Sequence, residues 1–161
     1  MTNRKGFTLL ELIIVVAIIA LLAAATFVAV DPAKRIGNAQ NAQRWSDVTA
    51  VLNGVLQYVV DNNGTYPNNA NWMNNELYQL GTGSSCGTPD CTATTTTQTT
   101  CLDLSASTAL VETYLTTIPT DPTQSPHNGA EVDYYIRKSS NGRVTVGACE
   151  RYNNEAIEVG R

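Results

Sequence analysis

Glu11 is a carboxylate set inside Phe7 to Val30, a run in which Thr8 and Thr26 are the only other polar residues. An acidic side chain at the centre of a membrane-spanning helix costs about 2.5 to 3.5 kcal/mol even on insertion-based scales, so Glu11 demands a compensating partner. Cys86, Cys91, Cys101 and Cys149 form a second chemical set. An even count of cysteines behind an apolar N-terminal segment predicts disulfides made in an oxidising compartment. Four thiolates also suit a tetrahedral zinc ion, but structural zinc sites favour two close pairs such as CxxC, which CGTPDC and the wide gaps to Cys101 and Cys149 do not offer. Asp121, Glu131 and Asp133 are the carboxylates near the segment IPTDP. Calcium takes six to eight oxygens, so these three make an incomplete set, and a turn at Asp121-Pro122 is the default expectation. His127, the only histidine, lies in SPHNG and is expected to decorate a loop. No nucleotide-binding loop, cysteine–histidine pair or serine triad can be assembled, so neither an enzyme nor a bound cofactor is expected.

The elements that must position these groups differ sharply along the chain. Residues 7–30 are long enough as a helix, at about 1.5 Å per residue, to exceed the roughly 30 Å hydrocarbon core of a bilayer. Arg4 and Lys5 before the run place the N-terminus in the cytoplasm by the positive-inside rule, a signal weakened by Lys34 and Arg35 after it; the cysteines independently place the rest outside. A cleavable secretory signal, cut near Ala23-Ala24-Ala25, accounts for export but gives Glu11 no role. A permanent membrane anchor tolerates Glu11 near the headgroups, again without a role. The remaining polar part, in a chain of 161 residues with net charge -4, has no basic patch, so no nucleic-acid partner is expected.

Lys5-Gly6-Phe7-Thr8-Leu9-Leu10-Glu11, followed by the unbroken apolar run, closely resembles the class III leader and N-terminal helix of type IV pilins and of the pseudopilins of type II secretion. The resemblance implies that a prepilin peptidase cuts between Gly6 and Phe7 and that the new Phe7 amine is N-methylated. It implies further that Glu11 of one subunit meets the Phe7 amine of its neighbour as the helices bundle into a homo-oligomeric helical filament. The other partners implied are the inner-membrane assembly machinery and, before assembly, the membrane itself. The subunit is then a single-pass inner-membrane protein whose head faces outward, and later part of an extracellular pilus or periplasmic pseudopilus. The leading reading is a structural subunit of a type IV pilus or pilus-like filament. The alternatives are a major-pseudopilin-like subunit of type II secretion, or a minor pilin binding a ligand such as DNA or a surface. Many pilins carry a proline about twenty residues after the cut; here the first is Pro32, expected to kink or break the helix.

The expected organisation is a leader over residues 1–6, a transmembrane and filament-core helix over 7–30, its amphipathic continuation over 31–63, and a globular head over 64–161. Trp45, Val48, Leu52, Val55 and Val59 recur at helical spacing and are assigned to the core, with the helix ending at Asp61-Asn62-Asn63-Gly64. Asn63-Gly64-Thr65 is a lone match to the N-glycosylation pattern. Short helices are expected within Asn68 to Leu80 and Leu102 to Leu115, and an exposed Thr-rich loop over Gly81 to Thr100, on which O-linked sugars are an alternative to plain solvation. Val132, Tyr134 and Ile136 alternate, Asn141-Gly142 signals a two-residue hairpin, and Val144 and Val146 resume the alternation, with a last strand within Ala156 to Val159. The fold class is therefore α+β, a long helix packed on a small antiparallel sheet, in agreement with the ladle-shaped pilin fold that the resemblance implies. Four cysteines allow three connectivities. Cys86–Cys91 is expected as a local bridge and Cys101–Cys149 as the bridge fastening the C-terminal strands, as similar bridges do in the family.

Processing is predicted to remove Met1 to Gly6. Intact-mass and N-terminal analysis of the assembled protein should find a chain starting at Phe7; a start after Ala25, or a retained Met1, would refute it.

Overall fold

The computed structural model describes residues 6–84, 86, 91, 98–105, 110–123 and 130–161. The chain divides into two compact units, Met1–Gly37 and Asn38–Arg161. In the first, α1 (Leu9–Val30) buries none of its side chains. It is apolar on every side, as expected of a helix that spans a membrane or is packed all round by others. Leu9–Asp61 contains a stretch long and apolar enough to cross a membrane. The helix is interrupted at Asp31, which takes a left-handed backbone with φ 44°. Pro32 then opens α2 (Pro32–Asp61), where its missing amide hydrogen removes no helical bond. Asp31 caps the new start, because its carboxylate accepts from the Lys34 amide at 3.3 Å and its carbonyl from the Arg35 amide at 3.2 Å. The Arg35 Nε donates to the Val30 carbonyl at 3.0 Å, satisfying an orphan acceptor at the end of α1. The break expected at Pro32 is thus a capped restart one residue long.

In the second unit, α2 presents Val48, Val51, Leu52 and Val55 to the core, the three- and four-residue spacing of one helical face. Trp45, assigned to the core from sequence, stands at the edge of that face and is 36% exposed. Its indole donates to Glu155 Oε1 at 3.0 Å. Arg44 takes the inward place instead, with Asn41 buried one turn earlier. The helix ends as expected. Asn63 and Gly64 have φ of 53° and 84°, and the Gly64 amide donates back to the Val59 carbonyl at 2.8 Å, the long bond of a Schellman cap.

The sheet runs β1 (Leu77–Gln79), β2 (Tyr134–Lys138), β3 (Val144–Ala148) and β4 (Glu158–Gly160), antiparallel in that order. The hairpin between β2 and β3 forms, but not through a two-residue turn. The Gly142 amide donates to the Ser139 carbonyl at 3.0 Å, and Gly142 rather than Asn141 takes the positive φ, 80°, as in a turn closed by a glycine bulge. One face of β2 sends Tyr134 and Ile136 into the main core. Tyr135 points to the other face yet is only 5% exposed, grouped with Leu77, Cys91 and Cys149. Its cross-strand partner is Gly147, where a Cβ would collide with the tyrosine ring, so the glycine permits that ring to lie against the sheet.

Of the two short helices expected, the first is not formed and the second is described only in part. Within Asn68 to Leu80 the chain turns at Asn68 and Asn75, both at positive φ, and ends in β1; asparagine competes with helix through such local turns. Within Leu102 to Leu115 the described helix is only α3 (Leu110–Thr113), interrupted by Glu112 at φ 77°. Leu102 is extended and bridges Leu80, its amide donating to the Gln79 carbonyl at 2.9 Å. Residues 106–109 lie outside the described residues.

The cysteines all form bridges, but Cys86 joins Cys101 and Cys91 joins Cys149. The expected Cys86–Cys91 and Cys101–Cys149 pairs are therefore both corrected. The reason is backbone pairing: the Cys86 amide donates to the Thr99 carbonyl at 2.8 Å and the Cys101 amide to the Gly83 carbonyl at 3.4 Å, which sets Cys86 beside Cys101.

A buried ion pair fastens α2 to the segment between α3 and β2. Arg44 and Asp121 are 1% and 5% exposed. The guanidinium donates through Nε at 2.6 Å and Nη2 at 2.8 Å to the two carboxylate oxygens, while Nη1 donates to Asn41 Oδ1 at 2.8 Å. Asn41 in turn accepts from the Tyr152 amide at 2.9 Å, and Tyr134 donates to Asp47 at 2.7 Å. Burial pushes the Asp121 pKa up, but hydrogen bonds from Arg44 and Thr123 outweigh it and hold the carboxyl below its ordinary value.

Asp121→Ala should destabilise the full chain in detergent by about 3 to 5 kcal/mol in denaturant unfolding, since it strands a buried guanidinium, whereas an apolar replacement of both partners should be near neutral. A depressed carboxyl pKa stabilises above the unfolded-state value near 3.9 and loses that contribution as pH falls through the lower folded value, so the wild-type advantage should vanish under acid. Non-reducing peptide mapping should recover Cys86–Cys101 and Cys91–Cys149. Their sequence separations are 15 and 58, so in the chain-entropy account removing the bridges should cost about 3 and about 4 kcal/mol respectively.

Candidate functional site: the N-terminal segment of the apolar helix

Gly6 to Thr8 precede the helix in extended or irregular backbone and are exposed. Phe7 is 94% exposed, and nothing lies within 4 Å of where a Cβ would stand on Gly6. The Gly6–Phe7 peptide bond is thus outside the helical ladder and open to approach, as a protease substrate must be. Thr8 is the N-cap of α1, with φ -83° and ψ 153°. Its hydroxyl accepts from the Glu11 amide at 3.2 Å, and Glu11 Oε2 accepts from the Thr8 amide at 2.9 Å and the Thr8 hydroxyl at 3.0 Å. This reciprocal capping box satisfies orphan amides at the helix start and gives the carboxylate local donors. A negative side chain in the first turn also opposes the positive end of the helix dipole. Glu11 Oε1 has no hydrogen-bond partner among the described residues. The carboxylate is therefore engaged by its own chain on one oxygen and open on the other. Sequence reasoning singled out Glu11 but missed this device, although the T-x-x-E spacing was its signal.

The other predicted candidates do not join this segment. Asp121 is held by Arg44 and by both the amide and hydroxyl of Thr123. Asp133 is buried and accepts from the Gln79 side-chain Nε2 at 2.8 Å. Among the described residues no group of three or more His, Cys, Asp or Glu side chains is placed to hold a metal ion. Arg44, which takes up Asp121, had no signal in the sequence, because the two meet across 77 positions of chain. His127, most of the Thr-rich loop and the leader's Arg4 and Lys5 lie outside the described residues.

Comparison with known proteins bears on the same segment. Residues 1–27 match the family model of the prokaryotic N-terminal methylation motif. No curated protein and no solved structure matches the chain. The exposed Gly6–Phe7 bond, the glutamate in the first helical turn and the apolar helix behind it together with that match establish that this chain carries the class III prepilin leader and N-terminal methylation motif typical of type IV pilins and pseudopilins.

Proposed function

We propose that the chain is a structural subunit of a type IV pilus or pilus-like filament, held in the inner membrane by residues 7–30 until a prepilin peptidase removes 1–6 and methylates Phe7. The observation that carries this reading is α1 itself, whose every side chain is unburied within its own chain. Such a helix needs lipid before assembly and like helices after it. Glu11 supplies the register. Its open oxygen receives the Phe7 amine created by cleavage on a neighbouring subunit, so an unprocessed chain, lacking that amine, is a poor joiner. An ion pair of this kind contributes chiefly by specifying alignment, because desolvation offsets much of its attraction. The head is carried to the outer side, where the disulfides form and persist. The mild acidity of the chain weighs against nucleic acid as a partner.

Glu11→Ala should leave expression and membrane insertion intact, since the helix becomes more apolar, while filament yield falls roughly tenfold or more, the scale set by about 1.4 kcal/mol lost per contact. Sheared filaments quantified against total subunit check it. Undiminished yield at equal expression would overturn the role given to Glu11.

A further inference from the structure

We infer that Asn63 is an acceptor for an N-linked glycan. Asn63-Gly64-Thr65 is the one Asn-x-Ser/Thr pattern in the chain, and neither Gly64 nor the following Tyr66 is a proline that would block it. A sequence match of this kind gains force only when the segment is a surface turn in an exported domain. The structure supplies the turn. Asn63, Gly64 and Thr65 are all exposed, and the first two form the Schellman cap that ends α2. The base of the turn is anchored on both sides: Asp61 accepts from the Tyr114 hydroxyl at 2.8 Å, and Tyr66 donates to the Gly142 carbonyl at 2.7 Å. Its tip stands clear, with nothing within 4 Å of the Cβ position of Gly64.

The two adjacent asparagines are used differently. Asn62 donates its carboxamide to the Tyr58 carbonyl at 2.9 Å. The Asn63 carboxamide and the Thr65 hydroxyl have no hydrogen-bond partner among the described residues, while the Thr65 amide donates to the Asn62 carbonyl at 3.0 Å. A transferase must bind both the carboxamide and the hydroxyl two residues on, and here both are presented without competing intramolecular bonds. The co-substrate is an oligosaccharide on a polyprenyl pyrophosphate. A bond forms from Asn63 Nδ2 to the anomeric carbon of the first sugar. The bond from that carbon to the pyrophosphate oxygen breaks, lipid pyrophosphate leaves with the bonding electrons, and the amide proton passes to a base of the transferase. The inference rests on the proposed outward placement of the head, where such lipid-linked donors are used.

Filaments from the producing cells, reduced and digested, test it by mass spectrometry with fragmentation that preserves glycans. The peptide containing Asn63 should carry a hexose-containing mass on that residue. Asn63→Asp, which tolerates left-handed backbone, and Thr65→Ala should each lose the whole added mass, and Thr65→Ser should keep it. A bare Asn63 in subunits that begin at Phe7 would overturn the glycan while leaving the filament reading intact. A 1 Da gain alone, the deamidation to which Asn-Gly is prone, or carbohydrate confined to the Thr-rich loop, would overturn it equally. Chains retaining Met1 with a bare Asn63 would overturn the filament reading and the glycan with it.

Discussion

Among the described residues, the α1 helix buries none of its own side chains. All 22 of its residues leave their side chains unburied, and apolar area left in water is unfavourable by about 25 cal/mol per Å². Such a surface is consistent with a membrane anchor, as is the N-terminal motif matched over residues 1–27. Thr8 closes the first turn with Glu11, which satisfies the amides of both residues at the helix start. Asp31, Pro32 and Arg35 end it and restart the next helix with the loose backbone groups capped.

Glu11 illustrates how one side chain answers two demands. A carboxylate among apolar residues is tolerable only with donors, and Thr8 provides two to a single oxygen. Full satisfaction within the chain would leave the residue merely structural. Half-satisfaction leaves an acceptor for a cation from elsewhere, the part that the proposed function gives to the Phe7 amine of a neighbouring subunit.

The second unit solves a different problem, that of a small domain whose sequence is rich in turn-forming and polar residues. Its core is a helix face against one side of a four-stranded sheet, and on the other side Tyr135 is buried with Leu77 and the Cys91–Cys149 bridge. Cross-linking distant segments offsets chain entropy that so modest a core cannot. The Arg44–Asp121 pair adds specificity of seating to that core, since a buried guanidinium accepts few alternative alignments.

The sequence by itself determined whatever depends on near neighbours in the chain. The apolar run, the leader motif, the helix end at Asn63-Gly64 and the strands on either side of Gly142 were all legible, because periodicity and turn chemistry act over a few residues. The Thr8–Glu11 box was equally local and could have been read. Tertiary structure alone decided which cysteines pair, that Leu77 to Gln79 and Leu102 are extended and not helical, and that Arg44 faces inward while Trp45 sits at the rim. Each of those outcomes is set by a partner far along the chain. Leu102 is drawn to Leu80, Cys149 to Cys91 and Arg44 to Asp121, and a long-range hydrogen bond, bridge or buried charge outweighs the fraction of a kcal/mol per residue by which local propensity prefers one backbone state.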